Sequence, residues 1–409
     1  MLTARSKTSN GVVADDVRRR IPWKIAISCP PRYLGGYFLI GLFLLLSAST
    51  GLAQDNSATI RPLFLGAQSC ASAMCHGGAG EQRGQLQTWT KLDFHTRARA
   101  TLTTARSARL AESLKLGNAV ESSRCTVCHA PFHDVPIARK STNVTHLETF
   151  TCEVCHGPAE NWLRSHTRPD FTHTDRVAAG MRDLRNLYTR ANTCVACHQN
   201  VDADLLAAGH PELIFELDGQ AVTEPRHWRE RIEGSGPRAW LIGQTVALRE
   251  MSWQLEREAA PSENLRARWE GLRWLLEKAA AKEKTGAPPV DGFARVREWS
   301  DQLARAISER EWPANQTRET LLKLAGTQED FLLPKLAPAV QARRAERLVL
   351  ALDRLMATLE EKADLKPASE KLNGLFREVQ SLPDFDAAKF AARLRDFHTV
   401  LQQIFPDQQ

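Results

Sequence analysis

The sequence predicts a mainly α-helical protein, in which short helices and loops are followed by an all-α helical domain. The first supporting observation is that residues 238–409 repeat apolar side chains at spacings of three and four, as in Leu265, Trp269, Leu272 and Leu276. The second is that eight cysteines fall between residues 70 and 197, in closely spaced pairs. The two halves therefore differ in what holds them together.

Composition and charge narrow the classes of protein. The chain has 409 residues, of which 43% are hydrophobic and 25% charged, so collagen-like, low-complexity and disordered chains are excluded. This length predicts two or three domains. The formal charge is +6, but residues 1–32 hold seven Lys and Arg against two Asp. The rest of the chain is nearly neutral, which gives no electrostatic case for nucleic-acid binding.

Residues 1–53 are typical of an export signal. A basic stretch precedes an apolar run from Tyr37 to Leu46, and small residues follow as far as Ala53, with Gly51 two positions earlier. We expect cleavage after Ala53. The alternative is an uncleaved anchor and membrane association, because the uncharged stretch 33–53 just reaches the roughly 20 residues that span a bilayer. In both cases residues 54–409 reach the periplasm.

Eight of the nine cysteines form four pairs, and a histidine follows each pair directly. Cys29 lies before the apolar run and belongs to no pair. Three motifs read C-x-x-C-H, whereas the first, CASAMCH, has a four-residue spacer. The paired residues are Cys70, Cys75 and His76; Cys125, Cys128 and His129; Cys152, Cys155 and His156; Cys194, Cys197 and His198.

C-x-x-C-H is the attachment signature of c-type haem. The two thiols bind the porphyrin covalently, and the histidine becomes the proximal iron ligand. Disulfides are one alternative, but they give no reason for the four histidines. Structural zinc on the paired C-x-x-C motifs is a second alternative. A thioredoxin-like site requires a βαβ context that the sequence lacks. We therefore predict four covalently attached haem c groups, with the first spacer looping out.

The remaining histidines are candidates for the distal iron ligands. For the fourth haem we consider His210, on a stiff Gly-His-Pro turn, ahead of His227, which either ligates or packs beside Trp228. His146 or His173 could close the second site. His133 lies too close to His129 in the chain to reach the opposite face of the same haem.

Residues 66–198 resemble the tetrahaem cytochrome c-554 family, which is related to octahaem hydroxylamine oxidoreductase and pentahaem nitrite reductase. The resemblance rests on QTWTKLDFHTRARA after the first motif and on CEVCHGPAENWLRSH at the third. It implies that His95 is the distal ligand of the third haem, that His166 is that of the first, and that the second haem is five-coordinate. The long first spacer and the large C-terminal segment depart from the family pattern.

The chain divides by pattern into an export signal (1–53), a linker (54–66), a tetrahaem domain (67–232) and a helical bundle (238–409), with a boundary at GSGP, 234–237. We expect short helices in the haem domain, because covalent haems occupy the volume of a core. Expected elements there are helices Thr88–Leu102 and Arg176–Tyr188 and a strand in 214–219. Prolines divide the bundle into about six helices, with Ser262 and Asp386 as N-caps. Its tryptophans are expected to pack in a core.

Together these features predict an exported electron carrier that exchanges electrons with redox partner proteins. One alternative is an enzyme that reduces or oxidises a small nitrogen compound at a five-coordinate second haem, with Arg124 or His133 nearby. Another is an electron-transfer subunit that docks on a larger complex through its C-terminal helices.

Overall fold

The structure is a computed structural model that describes residues 61–81, 83–144, 148–219, 225, 227, 235–280, 286–333, 336–359, 364–380 and 382–406. The export signal and residues 54–60 of the linker lie outside this set. Within it the regular elements are helical, and the only β-pairing is a single bridge between Phe64 and Lys140. The mainly α-helical prediction is therefore confirmed. No described helix combines the length and apolarity needed to cross a membrane.

The described chain forms two compact units. The first contains residues 61–210 together with Pro225 and His227, and the second contains 211–219 and 235–406. The predicted boundary near 232 places residues 211–219 in the first domain, but they pack within the second unit. Helix formation resumes at Ser235, so the last three residues of GSGP form the first turn of a helix.

The first unit is built from short helices. The α-helices are α1 (Gln85–Leu92), α2 (Ala105–Ser113), α3 (Ser123–His129), α4 (Cys152–His156), α5 (His173–Ala178), α6 (Leu187–His198) and α7 (Ala203–Ala207). Four 3₁₀ helices accompany them: Ala67–Cys70, Phe94–Thr103, Ile137–Arg139 and Ser165–Thr167. None of the α-helices exceeds 12 residues, as expected where periodic apolar faces are absent.

Both helices predicted in this unit are interrupted. The first ends at Leu92, because Asp93 is extended and its side chain accepts a hydrogen bond from the backbone N–H of His95. His95 therefore lies on a 3₁₀ helix rather than on the predicted α-helix. The second predicted helix is replaced by α5 and α6. Gly180, with φ of 103°, follows the end of α5, and Asn186 caps α6.

In the described part of the second unit, seven α-helices lie beyond residue 234, where the proline positions predicted about six. They are α8 (Ser235–Arg257), α9 (Glu263–Ala279), α10 (Phe293–Ser308), α11 (Ala314–Ala325), α12 (Pro338–Ala357), α13 (Lys366–Glu378) and α14 (Ala387–Ile404). Ser262 and Asp386 are N-caps, as predicted. Pro338 lies inside the first turn of α12, where its missing N–H removes no helical bond.

The core of the second unit lies where α8 packs along α10 and α9 packs along α12. Tryptophans contribute to it, as expected: five of them are buried (Trp240, Trp269, Trp274, Trp299 and Trp312). Leu272 and Leu352 are also fully buried. This packing stabilises the unit through apolar burial.

The strand predicted in 214–219 does not form. Residues 211–216 have no regular secondary structure, and residues 217–219 are helical. Leu213, Phe215 and Leu217 alternate and are buried, which is the pattern that suggested a strand. No neighbouring strand pairs with them in the described chain. Instead, side chains of Gln244 and Arg268 donate to the carbonyls of Phe215 and Leu213.

Candidate haem sites

The three regular motifs occupy the same place in local structure. Each C-x-x-C-H is the last part of an α-helix, and its histidine is the final helical residue: His129 ends α3, His156 ends α4 and His198 ends α6. Cysteines three positions apart lie on one face of a helical turn. The helix thus presents two thiols together and places the imidazole directly after them.

The first motif also brings its histidine next to a cysteine, but through turns instead of an α-helix. Cys70 ends a 3₁₀ helix, and residues 73–76 form turns. The spacer loops out, because the backbone N–H of His76 donates to the carbonyl of Cys70 over 3.2 Å. A Cβ at Gly77 would lie 1.9 Å from the Ala71 carbonyl oxygen, so only glycine fits there. The long spacer is thus compatible with a histidine held next to Cys70.

All eight motif cysteines are free thiols, and no disulfide joins them in the described chain. The thiols of Cys70 and Cys152 share a hydrogen bond, which raises the pKa of Cys70 and lowers that of Cys152. The first and third motifs are therefore direct neighbours, although 76 residues separate them at the least.

Three of the four motif histidines face a second histidine. The ring centres lie 6.2 Å apart for His76 and His166, 6.0 Å for His95 and His198, and 6.3 Å for His156 and His227. Two imidazoles on one metal hold their ring centres about 6 Å apart, because each metal–nitrogen bond is about 2.0–2.1 Å and each nitrogen lies about 1.1 Å from its ring centre. The observed separations fit an iron between each pair.

The pairing agrees with the resemblance at one site and differs at two. His166 faces the first motif, as the resemblance implies. His95 faces His198 of the fourth motif rather than His156 of the third, and His227 faces His156. His210, the favoured candidate for the fourth site, follows a Gly209 turn in which its backbone N–H bonds the Leu205 carbonyl. The short 3₁₀ helix after Asp93 places His95 opposite α6, which the sequence pattern could not show.

In four histidines Nδ1 takes part in a hydrogen bond, so Nε2 is the nitrogen that could bind a metal. Nδ1 of His95 donates to Asp93 over 2.8 Å, that of His76 to Gln85 over 3.1 Å, and that of His166 to the Leu163 carbonyl over 2.5 Å. Nδ1 of His129 bonds the Thr101 hydroxyl over 2.6 Å. Metal-bound histidines use their second nitrogen in this way, which fixes the ring orientation and the tautomer.

Burial favours the neutral form, which a metal requires, in His156 and His198. Burial lowers the pKa of His156 to about 4, with smaller contributions from His227 and Arg182. Burial likewise lowers the pKa of His198 to about 4, and the nearby His95 and His129 act in the same direction. A neutral imidazole offers its nitrogen lone pair to iron without first losing a proton.

The second site has an apolar wall on one side. Leu102, Ala111 and Ala119 form a small buried cluster, against which Cys125 packs. A cavity of about 330 Å³ adjoins this cluster, and Thr104, Ala108, Glu112 and Val120 contribute to its lining. An apolar surface of this kind next to the thiol suits one edge of a porphyrin.

Several residues proposed near the second site are engaged elsewhere. Nε2 of His173 lies 3.0 Å from Asp183, and Nδ1 of His133 lies 3.1 Å from Asp134 at the surface. Arg124 forms ion pairs with Asp202 and Asp204, at 2.9 and 2.6 Å. His146 lies outside the described residues. Arg124 therefore braces the second motif against the chain that follows the fourth.

Sequence reasoning missed the residues that support the ligands. Asp93, Gln85 and Thr101 orient histidines through Nδ1, and Glu153 and Arg182 bind the backbone around the third motif. Their partners are mostly distant in the chain or are backbone atoms. The one available signal was local: Asp93 precedes His95 by two residues, and Glu153 is the only charged residue between the cysteines of a motif.

Within the described residues, no group of three or more His, Cys, Asp or Glu side chains is arranged to hold a bare metal ion. A porphyrin iron takes only its axial ligands from the protein, so paired histidines are the relevant arrangement. Residues 69–157 match the protein family described as cytochrome c554 and c-prime. Searches of curated proteins and of solved structures each found no significant match. The family match covers the first three motifs.

Proposed function

We propose that this chain is an exported tetrahaem cytochrome, because residues 69–157 match the family described as cytochrome c554 and c-prime. Covalently bound haem c and electron transfer follow from the family. The finer proposal is four haems, mostly with two histidine ligands, that pass single electrons along a closely packed chain in the periplasm. The fourth motif, Cys194–His198, lies beyond the matched segment and is included on its own sequence and geometry.

The observation that carries the proposal is the set of three facing histidine pairs. Each pair joins a motif histidine to a distant one at the separation of two axial ligands. Bound haem c supplies a one-electron iron couple. The chain attaches it through paired thiols, orients the imidazoles through Nδ1 and buries His156 and His198. Two histidines per iron leave no open position, which favours electron transfer over catalysis.

The contacts between motifs support a compact path. Cys70 and Cys152 touch, and His198 lies near both His95 and His129. The first site is thus beside the third, and the fourth is beside the second. The short helices leave little chain between neighbouring sites, so electrons would move over short distances.

The decisive experiment is a haem count on the full-length protein, by pyridine haemochrome absorbance per chain together with intact mass. We expect four haems. A count of three haems per chain would indicate that the atypical first motif carries none. A colourless product with the mass of bare polypeptide would overturn the proposal. A low-spin ferric spectrum is expected for the three histidine-paired haems.

A second candidate is an enzyme acting on a small nitrogen compound at the second haem. The observation that favours it is the cavity of about 330 Å³ beside the cluster that holds Cys125. Arg124 and His133, which were predicted to lie near this haem, form ion pairs with Asp204 and Asp134. A high-spin ferric component that shifts on adding nitric oxide or cyanide would support this candidate, whereas four purely low-spin haems would exclude it.

A further inference from the structure

We propose that Glu153 is a positioning residue that fixes the first haem site against the third and lowers the reduction potentials of both haems. The inference rests on the proposed function, because it requires haems on Cys70 and Cys75 and on Cys152 and Cys155. It adds a role for a residue within the third motif that attaches no haem and ligates no iron.

The first argument is the set of hydrogen bonds that Glu153 accepts. Its side chain is buried and lies between the two cysteines of CEVCH. The carboxylate accepts backbone N–H groups from Leu65 at 2.9 Å, Gly66 at 2.7 Å and Ala159 at 2.8 Å. Leu65 and Gly66 lead directly into the 3₁₀ helix that ends at Cys70. One side chain therefore ties the approach to the first motif to the body of the third.

The backbone around the carboxylate is shaped to receive it. Gly66 has φ of 83° and Gly157 has φ of 82°, both in the left-handed region that favours glycine. With Gly66 in this conformation, its N–H and that of Leu65 both reach Glu153. Glu148 reinforces the arrangement, because its Oε2 accepts the N–H of Ala67 over 2.7 Å. A Cβ at Gly66 would lie 2.8 Å from the Glu148 carboxylate.

The second argument is electrostatic. Contact with Cys152 and burial are the main causes that raise the pKa of Cys70, and the negative charge of Glu153 adds to them. The same charge opposes ionisation of Cys152. Glu153 is therefore near the attachment points of both haems. A negative charge in a poorly solvated place stabilises the more positive, oxidised iron, which lowers the reduction potential.

Glutamine cannot replace this carboxylate. Burial raises the pKa of Glu153, and the charge of Glu148 adds to the rise. The backbone N–H groups that donate to both oxygens of Glu153 act in the opposite direction and favour the charged carboxylate. An amide offers only one accepting oxygen, and its NH₂ would confront a backbone donor. Glu153→Gln therefore removes both the charge and part of the tie, with little change in volume.

The test compares full-length, haem-loaded Glu153→Gln with Glu160→Gln. Glu160 is a matched control, because its exposed carboxylate accepts the N–H of Leu63 over 2.7 Å in the same segment. Potentiometric titration followed by visible absorbance gives the midpoint potentials. We expect Glu153→Gln to raise two of the four potentials and leave the other two unchanged. Glu160→Gln should titrate as the wild type does.

A fully loaded Glu153→Gln protein whose titration superimposes on the wild-type curve would overturn the proposal, even if its melting temperature fell. If Glu153→Gln does not load its haems, Glu148→Gln decides, since Glu148 also acts on Cys152 and Glu153. We expect Glu148→Gln to raise the same two midpoint potentials by a smaller amount. Unchanged potentials in Glu148→Gln would overturn the proposal. A wild-type protein that lacks haem at either site would instead refute the proposed function.

Discussion

At the scale of single residues, the histidine that faces each motif histidine is the part of the candidate site that the order of residues in the chain does not predict. Each facing pair joins residues far apart in the sequence: 90 positions separate His76 from His166, and 103 separate His95 from His198. The motif fixes the proximal histidine through a covalent neighbour. The distal histidine is fixed only by what packs around it, such as the Asp93 bond to His95.

The ring separation of 6.3 Å between His156 and His227 favours His227 over His210 as a distal ligand. We expect His227→Ala to convert one low-spin haem to high spin, because the iron of the third site would lose an axial ligand. Electron paramagnetic resonance of the ferric protein measures this change. His210→Ala is the matched control and should leave the spectrum unchanged. The opposite result, a change only in His210→Ala, would refute the assignment.

Asp218 gives the second unit a pH-dependent stability. Burial, with Glu216 close by, raises the pKa of Asp218 to about 7 from 3.8, although Arg354 lies 3.6 Å away. Between pH 4 and 7 the folded state keeps a proton that the unfolded chain releases. The free energy of unfolding therefore falls as the pH rises through this window, by up to about 4 kcal/mol from this group.

Asp218→Asn should remove that part of the pH dependence. Urea unfolding at pH 4.5 and 7.5, followed by tryptophan fluorescence, gives the difference in unfolding free energy. Asp396→Asn, at an exposed position, serves as the control and should keep the wild-type slope. The contrary result is that the free energy of unfolding falls by the same amount between pH 4.5 and 7.5 in Asp218→Asn and in the wild type. That result would mean that Asp218 is ionised in the folded protein at both pH values.

At the scale of elements, the same chemical motif is built in two ways. A spacer of two residues matches one helical turn, so three motifs end helices. A spacer of four residues exceeds the turn, and the backbone of CASAMCH closes a loop between His76 and Cys70 instead. The loop succeeds because Gly77 passes close to the Ala71 carbonyl.

We expect Gly77→Ala to reduce the haem count by one. The added methyl would meet the Ala71 oxygen, so the loop would open and His76 would leave its place beside Cys70. Haemochrome absorbance and intact mass measure the loss. Met74→Ala changes an exposed residue of the same spacer and should retain the full count. A fully loaded Gly77→Ala protein would show that the loop does not constrain attachment.

The helices of the second unit are stabilised by apolar burial. Leu352 is fully buried on α12. We expect Leu352→Ala to lower the free energy of unfolding by about 2–5 kcal/mol, since it leaves a cavity. Chemical denaturation monitored by tryptophan fluorescence measures this, with the exposed Leu332→Ala as control. A loss below about 1 kcal/mol in Leu352→Ala would indicate a core that collapses around the cavity.

At the scale of the whole molecule, the two units do not divide the chain at a single point. Residues 211–219 leave the first unit and pack with the later helices, and the chain then returns as far as His227. Removing residues 238–409 would therefore expose Leu213, Phe215 and Leu217, which are buried in the second unit. Docking on a larger complex is better tested by surface substitutions on α8–α14 than by truncation.

Export makes a prediction about the mature chain. If the signal is cleaved after Ala53, the intact mass should equal residues 54–409 plus the attached haems, and the protein should fractionate with the periplasm. An uncleaved anchor would instead retain residues 33–53 and sediment with membranes. Mass spectrometry of both fractions measures the two outcomes. A full-length chain in the cytoplasm would contradict both.

The sequence by itself determined the cofactor chemistry and the helical class. The attachment residues are adjacent in the chain, and helix periodicity and capping at Ser262 and Asp386 are local properties. The tertiary structure alone decided which histidines face each other, where residues 211–219 pack and which carboxylates support the sites. Those features depend on contacts between distant segments, and a one-dimensional pattern of residue types carries no information about which distant surfaces will meet.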